Sequence, residues 1–550
     1  MNYTSSFDIF DTCLIRSCGP SSALYDILAS EAFSKPVSND IRHEFIIARI
    51  NAESHTNLQS IYNNIEFSHE HLLPVDKLIE NELTIEDSLL KPSKKILTLV
   101  NQCRIDGHQI IFISDMYLPG SFLRDQLEKW GFWKDGDTLY VSNEIQKTKS
   151  SGELFKYIAE KENLCFKRWH HYGDNLKSDV ITPHKYGITS THITTDYSLY
   201  QKRWMDTTIC PQFQLGPIMA GLSRSIALSE DKTNHTAITL DIIAPLLVSF
   251  VCRIINHARL HGITHLYFCA RDSKTAYEIA NQIIHSHNNI RVHYLYISRQ
   301  ALYESNEENV ISYFEHVGLA SKAESTAIVD IRTTGKSLKY INDLLQKRGF
   351  NPIYGYFFEM YCTGSVLPHM PPYYCEINSV YNSLSNTKTR SLSSQGILLE
   401  MFFSIHEEPK TIGYTTTQEG IPHPVFSEST DEEDCLINNF NQVISVRKKL
   451  ISRYTDSFIK LHLHEYADDC MKQIALPTLA NFFTHPEKEY LASLTEFQVR
   501  NEYSSKMQPF VEHLSVFEVL HRKKSLSWHK GSMAWTLPQW LYKLHYKKQT

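Results

Sequence analysis

Short apolar runs alternate with amphipathic helical stretches twice along this chain, and that alternation limits its folds more than any other feature. In the first third, SFDIFDTCLIR (6–16) reads as a strand running into a loop. HQIIFIS (108–114), TLYVSNE (138–144) and RWHHYGD (168–174) read as further strands separated by helical patterns, and residues 20–105 are mostly helical in spacing. The pattern restarts after about residue 215 with a long helix through 236–260. Strands follow at HLYFCA (265–270), VHYLYIS (292–298), AIVDI (327–331) and IYGYFF (353–358), with helices SKTAYEIANQIIHS and GKSLKYINDLLQKRG among them. Such alternation predicts an α/β class, parallel sheets with helices on both faces. No fixed period repeats, so the second run is a separate unit. Beyond about 430 the strand signals stop and the tail reads as helical. The expected domains are therefore 1–205, with a helical insert at about 20–105, then 206–425, then 426–550. A chain of 550 residues is too long for one core.

Composition excludes some function classes. With 42% hydrophobic and 21% charged residues and a net charge of -6, the chain reads as globular and not as a general nucleic-acid binder. The 11 cysteines include no CxxC pair, which fits scattered reduced thiols better than a zinc site or disulfide framework. MNYTSSFDIF has no basic segment of the kind that opens a secretory signal. The most apolar run, IIAPLLVSFVC (242–252), is too short to span a bilayer, contains Pro245 and reads as a buried helix. The expected location is the cytoplasm.

The first unit carries an ordered set of polar residues at strand ends. Asp8 lies at the carboxyl end of the first strand, where open α/β sheets bind ligands. A carboxylate there can attack phosphorus, although a strand-end Asp by itself fits a turn cap equally well. IIFISD ends on Ser114 and Asp115, SNEIQKTKSSGELF supplies Lys147 and Lys149 before a helix, and HHYGDNLKSD supplies Asp174 and Asp179. Carboxylates converging at strand ends suit Mg²⁺.

This set resembles the four motifs of the haloacid-dehalogenase (HAD) superfamily over roughly residues 5–200. The resemblance implies a Rossmann-like domain in which 20–105 is a helical cap. It implies Asp8 as nucleophile and Lys149, rather than Lys147, as the charge-balancing lysine. Thr12, Ser114 and Asp115 are then phosphate contacts, and Asp8, Phe10, Asp174 and Asp179 surround Mg²⁺. HAD phosphatases usually have the acid–base Asp two residues after the nucleophile. Here that residue is Phe10, and Asp11 follows it: either Asp11 takes over proton transfer, or the domain turns over slowly, or it is not a phosphatase. Dehalogenases of the superfamily also lack that Asp, which leaves other chemistry open.

In the second unit, AIVDIRTTGKSL (327–338) reads as a strand ending on Asp330, a turn and a helix. Backbone N–H groups of such a turn cradle phosphate. Arg332, Thr333, Thr334, Gly335, Lys336 and Ser337 would line it, with Asp330 accepting hydrogen bonds from ribose hydroxyls. An ordinary capped strand–turn–helix remains an alternative. The segment is not a Walker A loop, because Asp330 stands where its first glycine belongs. It resembles the phosphoribosyl-pyrophosphate (PRPP) loop of type I phosphoribosyltransferases, with Val329 in place of the first of that loop's two acids. The resemblance implies Arg271, Asp272 and Lys274 near the pyrophosphate; Ser298 and Arg299 could also line the site.

The combination, phosphatase first and transferase second, resembles the bacterial ribofuranosyltransferases of O-antigen and capsule assembly. It implies PRPP as donor, a lipid-linked glycan as acceptor, and a β-ribofuranosyl product after removal of the 5-phosphate. Two other readings stand beside it. One is the same domains acting on a small soluble acceptor; the other is a non-catalytic sensor of PRPP or phosphate. From HRKK (521–524) onward the chain is basic, with Trp528, Trp535, Trp540, Tyr542 and Tyr546 interleaved. That pattern suits either the surface of the inner membrane or an aromatic helix packed on the protein. Neither unit suggests a nucleic-acid substrate.

Overall fold

A computed structural model gives the fold and describes residues 3–54, 57–194, 197–206, 214–284, 289–360, 373–378, 399, 402–403, 408–428, 440–500, 507–513, 515 and 528–538. The chain forms two compact units, 1–232 and 233–550, so the expected boundary near 206 falls inside the first.

The first unit begins with β1 (Thr4–Asp8), all of it buried, followed by the short β2 (Leu14–Arg16). β2 pairs antiparallel with β3 (Leu90–Pro92), and the helices Ser21–Glu31, Asn39–Asn51, Leu58–Asn63 and Val75–Leu89 lie between those two strands. This ribbon is the stem of the helical insert, so the insert ends before β3 and not at 105. The helix Lys94–Ile105 is instead the crossover into β4 (Gln109–Ser114); its Ile96, Val100 and Cys103 pack in one core with Phe7 and Phe112. β5 (Thr138–Val141), β6 (Trp169–Gly173) and β7 (Thr189–His192) complete a parallel sheet of order β5-β4-β1-β6-β7. β7 was not visible in the sequence, because its polar residues TSTH on a largely exposed edge lack an apolar signal. The expected strand at 138–144 stops at Val141, where the short helix Ser142–Ile145 begins. β4 and β6 lie on opposite sides of β1, so the chain leaves a crevice at the carboxyl ends of β1 and β6.

The insert is tied together by buried charge. Arg49 and Glu82, neither with any exposed side-chain surface, pair at 2.8 Å, and the hydroxyls of Tyr62 and Tyr117 donate to the Glu82 carboxylate at 2.5 and 2.8 Å. Tyr117 comes from the loop after β4, so this network joins the insert to the sheet domain. At the stem, buried Arg16 pairs with Glu86 at 2.7 Å.

The second unit opens with Asn234–Leu260, a helical run of 27 residues. Its central apolar stretch, 242–252, is by itself too short to cross a membrane. The run is in fact long enough, and its apolar window is wholly buried within the fold. A π-helical turn at Thr239–Ile243 hands over to the helix Ala244–Leu260, which places Pro245 in a first turn and lets the run continue through it. The strands β8 (His265–Cys269), β9 (Arg291–Leu295), β10 (Thr326–Thr333), β11 (Tyr354–Met360) and β12 (Tyr373–Asn378) form a parallel sheet of order β12-β11-β10-β8-β9. Its crevice opens between β8 and β10. An antiparallel hairpin, β13 (Thr411–Thr416) and β14 (Pro422–Phe426), follows.

The C-terminal stretch is mainly helical, led by Phe440–Lys460. It also contains the small hairpin of β15 (Gln498–Arg500) and β16 (Met507–Pro509), where the sequence showed no strand. Trp528 is 1% exposed and lies 5.4 Å from the Phe482 ring and 5.7 Å from the Phe510 ring, so it belongs to a core. Trp535 is half-buried. HRKK, Trp540, Tyr542 and Tyr546 lie outside the described residues. The cysteines among the described residues are unbridged.

Removing Glu82 strands a buried guanidinium. Glu82→Ala is expected to destabilise the first unit by about 3–5 kcal/mol, read as a lowered urea midpoint; a midpoint within error of wild type would contradict the network's role.

Candidate active site

Asp8 closes β1 and is 6% exposed. After it the chain makes a tight turn in which Asp11 N–H donates to the Leu14 carbonyl and Leu14 N–H to the Ile9 carbonyl, both at 2.8 Å. Asp11 sits at φ 53, a left-handed conformation that a non-glycine residue adopts at a penalty of about 1–2 kcal/mol. The turn buries Thr12 completely, and its hydroxyl oxygen has no protein partner. Phe10 lies under the Arg16 guanidinium, 4.2 Å from ring centre to carbon.

Lys149 reaches this point from the loop before the helix Glu153–Lys161. Its ammonium, 3% exposed, bridges Asp8 and Asp179, the latter at 2.7 Å. Lys147 points elsewhere, 3.9 Å from Glu153. The Asp115 carboxylate accepts the Lys149 backbone N–H at 2.9 and 3.0 Å. The carboxylate of Asp115, a residue expected at the phosphate, thus anchors the lysine loop. Ser114 ends β4, buried.

Asp174 follows β6, and Asp179 lies in the π-helical turn Leu176–Ile181. Carboxylate oxygens of Asp8, Asp174 and Asp179 all lie within 4.8 Å of one another. Gly173 permits this, because a Cβ there would stand 2.5 Å from the Asp179 carboxyl carbon. A buried relay also holds Asp179. The Trp169 indole N–H donates to Ser6 Oγ at 2.7 Å, Ser6 Oγ meets His171 Nδ1 at 2.7 Å, and His171 Nε2 meets Asp179 at 3.2 Å. None of these three residues was legible as functional from sequence, because they acquire a role only by facing Asp179 across β1 and β6.

The electrostatics follow from burying several charges together. Burial raises the Asp8 carboxyl well above its ordinary value, against Lys149 and with help from Asp179 and Asp174. Burial also pushes Asp174 up to about 6, assisted by Asp11 and Asp179. Asp179 is held low: burial acts against its charge, but His171 and Lys149 outweigh it. Burial likewise opposes the charge on Lys149, and Asp8, Asp179 and Asp115 overcome that. Three carboxylates against one ammonium leave an excess of negative charge in an all-oxygen cluster, which fits a hard divalent cation such as Mg²⁺.

In the second unit, a cavity of about 460 Å³ opens at the carboxyl ends of β8 and β10. It brings together Arg271, Asp272, Ser298, Arg299, Asp330, Arg332, Thr333, Thr334 and Ser337, and adds Lys410 and Thr411 from the start of β13, which the sequence reading missed. The local form of the expected loop differs. β10 continues through Asp330 to Thr333, because its extension pairs with β11 and Arg332 bonds the buried Glu359 opposite it at 2.9 Å. Only Thr334 and Gly335 remain as a turn; Gly335, at φ 79, starts the helix Lys336–Lys347 and donates its N–H to Thr333 Oγ1. Lys336 is exposed, and neither it nor Gly335 lines the cavity. Lys274 also stays outside: it pairs with Glu408 at 2.6 Å over the Tyr294 ring. Ser298 caps the helix Arg299–Glu304.

Ligating carboxylates must be ionised. Mg²⁺ affinity, measured by calorimetry, is therefore expected to weaken as pH falls from 7 to 5, through the Asp174 value of about 6; a pH-independent affinity would exclude Asp174 from the metal shell.

No protein-family model matches this sequence, and no curated protein matches it. Among solved structures the chain is similar to a HAD phosphatase from Thermococcus onnurineus, at 17% identity, 36% of this chain, 89% of that chain and a TM-score of 0.28. It is also similar to the HAD-hydrolase YfnB of Bacillus subtilis bound to magnesium, at 14% identity, with 36% and 92% covered and a TM-score of 0.28. A third is a HAD family enzyme of Bacteroides thetaiotaomicron in complex with magnesium and inorganic phosphate, at 14% identity, with 36% and 97% covered and a TM-score of 0.28.

Proposed function

We propose that the first unit is a HAD-type phosphomonoesterase. The observation that carries this reading is Lys149 bridging Asp8 and Asp179, with the Asp174 carboxylate alongside. The Asp8 carboxylate attacks phosphorus. The phosphorus–oxygen bond to the leaving group breaks as Asp11, the candidate for proton transfer, passes a proton to the departing oxygen. Water then attacks the aspartyl-phosphate, passes a proton to Asp11, and the bond from phosphorus to Asp8 breaks, releasing phosphate. Lys149 balances the charge that accumulates on Asp8 and the phosphoryl oxygens, and the buried Thr12 hydroxyl donates to one of them. Mg²⁺, held by Asp8, Asp174 and Asp179 beside the Phe10 main chain, would supply further charge neutralisation when bound.

The fuller reading couples this reaction to the second unit. The β8/β10 cavity takes PRPP, with Arg271, Arg299, Arg332 and Lys410 facing its anionic groups and Asp330 its hydroxyls. Displacement of pyrophosphate transfers phosphoribose to an acceptor, and the first unit removes the 5-phosphate. The acceptor is a lipid-linked glycan at the inner face of the inner membrane, and the product a β-ribofuranosyl residue of a surface polysaccharide. Support comes from the cavity's position at the sheet's switch point and its mixture of guanidinium, carboxylate and hydroxyl groups.

Incubation with PRPP, Mg²⁺ and lipid-linked glycan, followed by mass spectrometry, tests the scheme. Wild type is expected to add a pentose, Asp8→Asn a pentose phosphate, and Asp330→Ala nothing. Phosphate release by Asp8→Asn at the wild-type rate would overturn the phosphatase reading; normal transfer by Asp330→Ala would overturn the cavity's role.

A further inference from the structure

The helical insert hangs from a two-strand stem, and such a stem is by itself a hinge. In this chain the stem is not free. The helix Leu215–Ser229, which follows the strands of the first sheet in sequence, lies directly on it. A Cβ on Gly221 would stand 1.9 Å from the Gly19 nitrogen, and one on Gly19 would stand 2.7 Å from the Pro217 carbonyl oxygen. Gly19 follows β2, so backbone meets backbone where the insert begins, with no side chain between to give way. Gly216 seats the same helix on the helix Leu199–Trp204, because a Cβ there would stand 1.8 Å from the Trp204 carbonyl oxygen. Arg224, one turn past Gly221 and 6% exposed, pairs at 3.0 Å with Asp11 in the turn that leads into β2.

Further bonds reach past the stem into the insert. Gln214, the N-cap residue of this helix, accepts from the Ser22 hydroxyl at 3.0 Å and donates its side-chain N–H to the Ser22 carbonyl at 3.3 Å. Its backbone N–H donates to the Asp26 carboxylate at 3.2 Å; Ser22 and Asp26 belong to the insert's first helix. Beyond the other end of the helix, Asp231 pairs at 2.5 Å with Lys94, just past β3. Two more elements of the sheet domain hold the insert. From the loop after β4, Tyr117 accepts the Leu58 N–H on its carbonyl at 3.1 Å and donates its hydroxyl to buried Glu82 at 2.8 Å. From the helix Gly120–Lys129, buried Gln126 donates to Asp87 at 2.6 Å. A swing about the stem must break the bonds at Gln214, Tyr117 and Gln126. The exposed Lys94–Asp231 pair offers little resistance; the Gly19–Gly221 contact and the buried Glu82 network offer most of it.

We infer that the insert is a fixed roof and not a hinged lid, with the helix Leu215–Ser229 as the clamp that immobilises its stem. The clamp is independent of the phosphatase reading; its consequence for turnover rests on that reading. Substrates enter through an opening of constant size, and they are selected by fit to that opening instead of by closure of the insert over a bound phosphate ester.

Hydrogen-exchange mass spectrometry on the full chain tests this, because exchange of a bonded amide reports its opening. The reporters are the Ser17 amide, bonded to the Leu89 carbonyl in the stem, and the Leu58 amide. On addition of Mg²⁺ and inorganic phosphate, at concentrations where calorimetry shows binding, both are expected to stay within about twofold of their rates in the free chain. Gln214→Ala removes the side-chain ties to Ser22 and keeps the glycine contact; it is expected to speed exchange from Ser17 to Leu28 by at least about fivefold. Gly221→Ala presses a methyl group against Gly19 and is expected to speed the Ser17 reporter by at least about tenfold. A change of about tenfold or more at Ser17 or Leu58 on ligand binding would show a hinge and overturn the inference, as would wild-type exchange in either variant. A wild type that neither binds phosphate nor hydrolyses phosphate esters would overturn the phosphatase reading alone, since the two variants still report the clamp.

Discussion

Burying carboxylates at the ends of β1 and β6 is the constraint around which the first unit is built. Asp8, Asp174 and Asp179 repel one another in a poorly solvated crevice, and the Lys149 ammonium is the charge that offsets them. Much of the surrounding structure serves that arrangement. Asp115 fixes the lysine loop through its backbone N–H, the Trp169–Ser6–His171 relay orients Asp179, and Gly173 clears space for its carboxyl group. Each acts one step away from the reacting atoms, which is where geometry is held when several like charges share a site.

The helical insert follows the same principle at larger scale. It hangs from a two-strand stem and is fastened by the Arg16–Glu86 and Arg49–Glu82 pairs, with Tyr117 reaching Glu82 from the loop that also carries Asp115. The loop after β4 thus serves both the lysine and the insert.

The second unit places its polar residues by a different device. At the β8/β10 switch point the strands diverge, so β10 outruns β8 and exposes one edge of Asp330 and Arg332 while pairing the other with β11. The sequence showed an apolar strand followed by hydroxyls and a glycine, and a phosphate-cradling turn was the natural expectation. The pairing of Arg332 with Glu359 lengthens the strand and shortens that turn to two residues. Residues such as Lys410 enter the cavity from a hairpin distant in sequence, and no local pattern could announce them.

What the sequence determined by itself was the class of fold, the existence of two α/β units and the placement of polar residues at strand ends. Apolar runs of strand length terminating in Asp8, Ser114 and Asp174 carry that information locally. Tertiary structure decided everything that depends on two segments meeting: that the Asp115 carboxylate anchors the lysine loop, that Lys274 and Lys336 turn away from the cavity, and that Arg224 reaches Asp11. The physical reason is that hydrophobic periodicity is a property of neighbouring residues, whereas an ion pair between positions 11 and 224 exists only once glycine packing has brought a helix onto the stem of the insert.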